Sequence, residues 1–257
     1  MKNNKPLILI TNDDGIHAGG LKTLVEVARD FGEVVVVAPD DSQSGMSHAI
    51  TIKQPIRINS IREEKGLKMY SCSGTPVDCV KLALNQLLDR KPDLLLSGIN
   101  HGSNASVSVI YSGTMAAAIE GGVNDIHSIG FSLLDYSPHA DFRVTRNIIK
   151  RVLKEVLKNG IPTEICLNVN IPAIKENEIK GIKICRQTKG FWQEEFDKRT
   201  DPFNRDYYWL TGYFNNKEPE ASDTDEWALK NGYVSIVPIR VDYTCFDYVP
   251  ELKKRRF

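Results

Sequence analysis

Along the first two thirds of the chain, short unbroken apolar runs alternate with stretches in which apolar residues recur every three or four positions. The runs at 7–10 (LILI), 34–38 (VVVVA), 94–97 (LLLS), 129–133 (IGFSL) and 165–171 (ICLNVNI) predict strands. Strands apolar on both sides of the pleat belong to a parallel sheet with helices on both faces. Between the runs, Leu21, Leu24, Val25, Ala28 and Phe31 share one helical face, closed by Gly32. Residues 77–89 repeat the pattern with Val77, Val80, Leu84, Leu87 and Leu88, and 142–157 with Phe142, Ile148, Ile149, Val152, Leu153 and Val156. This alternation predicts a doubly wound α/β fold. The segment 49–72 alternates polar and apolar residues and is expected as an antiparallel β-ribbon inserted in that framework.

From about residue 190 the texture changes. Fifteen of the 21 aromatic residues, including Trp192, Trp209 and Trp227, lie in 190–257. Tyr207, Trp209 and Tyr213 suit a hairpin with an aromatic face. Two readings stand: a local satellite core, or an oligomerisation arm, since aromatic surfaces favour interfaces. The organisation expected is a core over 1–189. Residues 190–257 then add the hairpin, a core-completing strand and a C-terminal arm of the same domain. The basic tail "ELKKRRF" reads as a solvated terminus.

Composition narrows the function. The 257 residues suit one large α/β domain. Lysine plus arginine and aspartate plus glutamate each number 33, so no nucleic-acid polymer is expected as a partner. No apolar run approaches the roughly 20 residues that span a bilayer. The start "MKNNKPLILI" runs straight into polar residues and reads as a first strand, not a signal peptide. The cysteines 72, 79, 166, 185 and 245 are odd in number and widely spaced, which fits a reducing cytoplasm.

In a parallel sheet, ligands bind beyond the carboxyl ends of the strands. There the sequence places Asn12-Asp13-Asp14-Gly15, then "PDDSQSGMSH" (39–48), then "SGINHGSN" (97–104). "YSGT" (111–114) opens an alanine-rich helix. Oxygen donors without a spaced His or Cys pair suit a hard cation, Mg²⁺ or Mn²⁺. Adjacent carboxylates repel one another unless a cation or solvent neutralises them. Ser112, Gly113 and Thr114 at a helix start offer hydroxyls and free N–H groups to an anion. A hard cation beside such a cradle is the apparatus of phosphoryl chemistry. Taken singly, Asp-Asp-Gly can be a turn, Ser42 and Ser44 loop residues, Asn100 and Asn104 Asx turns, and Ser112 a helix cap. Of the histidines, His48 and His101 are expected at the rim of the site rather than as its acid. His127 and His139 are expected at the surface.

The stretches 8–21, 34–51, 70–84, 94–104, 109–121 and 222–239, in that order, resemble the SurE family of survival-protein nucleotidases. The resemblance implies a Rossmann-like core and a metal-dependent phosphatase of nucleoside 5′- and 3′-monophosphates, with some activity on short polyphosphate. It implies one divalent cation per subunit, Mg²⁺ or Mn²⁺, on Asp13, Asp14, Ser44 and Asn100. It implies phosphate binding by Asn104, Ser112, Gly113 and Thr114, with Asp13 and Asn104 as catalytic residues. It also implies dimers or tetramers joined by the C-terminal arm. The loop "DDSQSGMSH" departs from the charged run many relatives carry before the serine, which leaves the substrate rim open. Water and an aspartate both remain as nucleophile. A receiver-like domain would need an acid where the third strand ends in Ser97-Gly98-Ile99-Asn100, and a haloacid-dehalogenase-type phosphatase would space its acids D-x-D.

Overall fold

The computed structural model describes residues 5–256, so the expectations placed on residues 1–4 and 257 lie outside the described chain. The first half runs β1 (Leu7–Thr11), α1 (Gly19–Ala28), β2 (Glu33–Pro39), β3 (Ile58–Glu64), β4 (Leu67–Cys72), α2 (Pro76–Leu82) and β5 (Leu94–His101). Then come α3 (Gly113–Val123), β6 (His127–Leu133), α4 (Arg146–Asn159), β7 (Ile165–Ile171) and β8 (Ile182–Ile184). The chain ends with β9 (Gly190–Thr200), β10 (Asp206–Asn216), α5 (Asp225–Lys230), β11 (Val234–Arg240) and α6 (Val249–Leu252).

Nine strands form one sheet in the order β3-β4-β2-β1-β5-β6-β7-β11-β8. The strands from β4 to β7 run parallel, whereas β3 opposes β4 and β11 opposes β7. The chain winds outward from β1 through β2 in one direction and from β5 through β6 in the other. The reversal therefore falls between β1 and β5.

The unbroken apolar runs have a direct cause. Ile8, Ile10, Val34, Val36, Leu94 and Leu96 pack with α1 and α4 on one face. Their neighbours Leu7, Leu9, Val35, Val37 and Leu95 pack with Cys79, Val80, Ala83 and Ala117 on the other. Since successive side chains alternate faces, a strand buried on both must be apolar throughout.

Three local expectations change. The ribbon is confined to β3 and β4, which turn at Gly66 (φ +77) and lie at the sheet edge, while 49–57 has no strand. β4 joins β2 in parallel, because Val36, Val37 and Ala38 offer Met69, Tyr70 and Ser71 a buried strand to pair with. The helix expected over 77–89 begins with Thr75 as cap and Pro76 in its first turn, then widens after Leu82, where Leu88 N–H donates to the Ala83 carbonyl at 3.0 Å. The helix expected over 142–157, α4, starts at Arg146 after a tighter turn over Phe142–Thr145.

β9 and β10 form a separate antiparallel hairpin, Asp206 opposite Thr200 through Asn216 opposite Gly190. It builds no satellite core, since Phe196, Tyr208, Trp209 and Leu210 are all exposed. The C-terminal stretch through α6 is also largely exposed.

Gly20 sets how closely α1 approaches the end of β5. A Cβ there would stand 2.1 Å from the Ile99 carbonyl oxygen and 3.1 Å from the Phe142 ring. Gly20→Ala is expected to cost about 2–4 kcal/mol. A thermal melt should fall by roughly 5–12 °C.

Candidate functional site

At the reversal point three strand ends and one helix start converge. Asp13 follows β1 and is buried, while Asp14 beside it is half-buried. The tip of α3 meets Asp13 directly. The Thr114 hydroxyl donates to Asp13 Oδ1 at 2.5 Å. A Cβ on Gly113 would lie 2.8 Å from Asp13 Cβ and 2.9 Å from Oδ2, so only glycine admits this approach. Ser112 caps the helix, accepting from Met115 N–H at 3.0 Å. Thr114 is fully buried, and its hydroxyl donates to Asp13.

The carboxylates are poorly solvated. Burial raises Asp13 from 3.8 to about 6; the Thr114 hydroxyl pulls it down and the Asp14 charge pushes it up. Burial raises Asp14 too, opposed by His101, whose backbone N–H donates to Asp14 Oδ2 at 3.3 Å.

The other loops close around them. Gln43 N–H donates to the Asp13 carbonyl at 2.7 Å, tying the loop of Ser44 to the end of β1. Asn100 spends both amide hydrogens on the His101 and Gly102 carbonyls, at 2.9 and 3.0 Å. Its side-chain oxygen is the atom left for a ligand. Asp13, Ser44, Asn100, Asn104 and Ser112 all line one cavity of about 580 Å³. A larger cavity of about 850 Å³ shares Ser112 but has neither Asp13 nor Asn100. Among the described residues no three His, Cys, Asp or Glu side chains gather as a metal-binding group. Asp13 lines the cavity and Asp14 follows it outside the lining; with a hydroxyl and an amide they offer oxygens suited to a hard cation.

The histidines divide. His101 lines the cavity, its ring edge-on to Phe142. His48 turns away to Glu120 on α3, 3.1 Å from its carboxylate. His139 is exposed, but His127 is only partly so and accepts from Ile161 N–H at 3.2 Å.

A buried polar frame positions Asn104. Its N–H donates to Asn170 Oδ1 at 2.8 Å, its carbonyl accepts from Asn168 Nδ2 at 2.8 Å, and its own Nδ2 donates to Ser132 Oγ at 2.8 Å. Asn170 Nδ2 in turn donates to Asn168 Oδ1. Nothing in the sequence reading assigned Asn168, Asn170 or Ser132 a role. The signal was present, since two asparagines two apart in a buried strand must face the same way.

Asp225 completes the frame. Its carboxylate accepts from Ser106 N–H at 2.8 Å, Thr188 N–H at 2.9 Å, Thr188 Oγ at 2.6 Å and Glu226 N–H at 2.9 Å. Ser106 needs the support, for its φ is +53, a region a non-glycine residue rarely occupies unaided.

This fold, with its loops gathered at the switch point, is that of a survival protein. Residues 8–194 match the family described as Survival protein SurE, and the chain belongs to it. It is similar to the 5′-nucleotidase SurE of Christiangramia forsetii, 60% identical over 254 residues, 98% of this chain and 97% of that one. The 5′-nucleotidase SurE of Flavobacterium johnsoniae is 55% identical over 98% of this chain and 97% of its own. The crystal structure of the SurE protein from Aquifex aeolicus matches with a TM-score of 0.83 at 38% identity, covering 97% of this chain and 99% of that one.

Two stability outcomes follow. Asp225→Asn places an amide against N–H donors and is expected to cost about 2–4 kcal/mol, read by denaturant or thermal unfolding. Burial, with the Asp225 charge beside it, raises Glu226 from 4.5 to about 7. Between those values the folded chain keeps a proton that the unfolded chain has lost, so stability falls as pH rises through that window. Glu226→Gln should remove this slope, melting roughly 2–5 °C above the parent at pH 8 and level with it at pH 4.

Proposed function

We propose that this protein is a divalent-metal-dependent phosphatase that hydrolyses nucleoside 5′-monophosphates to nucleoside and phosphate, with 3′-monophosphates and short polyphosphate as further substrates. The observation that carries the reading is the convergence of two poorly solvated, adjacent carboxylates with the Asn100 oxygen and the start of α3. The names of its relatives point the same way.

Asp13, Asp14, Ser44 and Asn100 would hold one Mg²⁺ or Mn²⁺ ion, and their chemistry fits it. Burial makes both carboxylates costly as bare anions, and Asn100 has only its oxygen uncommitted. When bound, such an ion neutralises phosphoryl oxygens and makes a nearby water more acidic.

The remaining steps belong to the chain. The Gly113 N–H, the Ser112 hydroxyl and the Asn104 amide receive the phosphoryl oxygens. There the helix tip favours negative charge, and fixed donors meet the charge as it develops. Thr114 holds Asp13 Oδ1, leaving Oδ2 to orient the attacking water and take its proton. Asn168, Asn170 and Ser132 keep Asn104 in place for this work.

The exposed hairpin and C-terminal stretch are assigned as the arm that joins a homodimer or homotetramer. Among the described residues no helix is long and apolar enough to cross a membrane. The five free cysteines agree with a cytoplasmic setting.

The test is phosphate release from a panel of nucleoside 5′- and 3′-monophosphates with Mg²⁺ or Mn²⁺ added. Asp13→Asn and Asp14→Asn are each expected to lower kcat by about 10²–10³-fold while circular dichroism stays that of the parent. EDTA should abolish turnover and excess cation restore it. Turnover near the parental rate in both variants would defeat the reading.

A further inference from the structure

The cavity above the switch point has two ends of different character. Its floor carries Asp13, Asn100, Asn104 and Ser112, and its outer wall is made by Tyr111, Tyr136, Trp192 and Leu210. Tyr111 is 50% exposed, Trp192 39% and Leu210 64%. Apolar surface left open beside a polar floor is the usual form of a small-molecule site.

Trp192 is held in place. Its indole N–H donates to Ser108 Oγ at 3.3 Å. Its ring packs against Phe214, its cross-strand neighbour, with centroids 6.2 Å apart. Gly212, at φ +137, lets the two strands pair where they border the cavity, since a Cβ there would stand 2.2 Å from the Gln193 carbonyl oxygen. Glu194, on the same wall, would repel a phosphate placed there, which directs the anionic end of a ligand to the floor.

The geometry points to a nucleobase subsite on the hairpin: Trp192, with Tyr111 and Leu210 beside it, takes the base of a nucleoside monophosphate whose phosphate lies on the floor. This rests on the phosphatase reading and adds to it the part of the substrate that is not phosphate. Every base has a π-face, so such a wall favours nucleotides over other phosphate monoesters while choosing little among bases. It also gives the hairpin a role within its own subunit.

The experiment compares full-length parent, Trp192→Ala and Trp192→Phe, with Mg²⁺ or Mn²⁺ present, on adenosine 5′-monophosphate and on ribose 5-phosphate. The readout is the ratio of the two kcat/KM values, with assembly mass measured alongside. Trp192→Ala is expected to lower the ratio about ten-fold, mainly through KM for the nucleotide, and Trp192→Phe to restore it within about three-fold. An unchanged ratio in Trp192→Ala overturns the proposal. A parent that does not prefer the nucleotide overturns it too. An unchanged ratio with a smaller assembly would assign the ring to a subunit contact and equally overturn it. A parent that hydrolyses neither substrate would remove the phosphatase reading itself, and the subsite with it.

Discussion

The contact on which the rest turns is the one between Asp13 and the start of α3. A carboxylate withdrawn from water is costly, and the Thr114 hydroxyl together with the helix tip offsets part of that cost. Both sides of the contact are fixed by the sheet. β1 delivers Asp13 at the point where the winding reverses, and α3 packs over β5 and β6 with its first turn aimed there. Gly113 allows the approach. The remaining charge of Asp13 and Asp14 is what the proposed cation would neutralise.

A second layer holds the loops that surround this pair. The loop of Ser44 is tied to the Asp13 carbonyl through Gln43, and that of Asn104 to β6 and β7 through Ser132, Asn168 and Asn170. The bonds to Asn104 lie between buried groups, and each lost partner there leaves another stranded away from water, so that loop is fixed more firmly than an exposed loop would be. The site is irregular backbone on a rigid frame.

Much of this could be read from the chain. The two-sided strands, the α1 periodicity and the polar strand ends lead to a doubly wound sheet with Asp13, Ser44, Asn100, Asn104 and Ser112 at one edge, because periodicity and position at a strand end are local properties. What escaped was set by distant contacts. That the Thr114 hydroxyl meets Asp13, a residue about a hundred positions away, is one such contact. Residues 49–57 alternate like a strand but find no partner, whereas β4 pairs in parallel because β2 is buried beside it. The roles of Asn168, Asn170 and Asp225 emerge only when the chain is folded, since each answers a backbone group from another part of the sequence.

The four bonds to the Asp225 carboxylate have a temporal consequence. One of them, from the Ser106 N–H, joins the segment after β5 to one that leaves the ribosome more than a hundred residues later. Until then the left-handed backbone of Ser106 lacks the carboxylate that accepts its N–H, with only its hydroxyl bonded to the Thr188 carbonyl. A nascent chain can complete the strands on either side of the reversal while its hydrolytic centre stays open. Competence arrives late in synthesis, and a polypeptide released before Asp225 carries β1 to β7 without the finished centre.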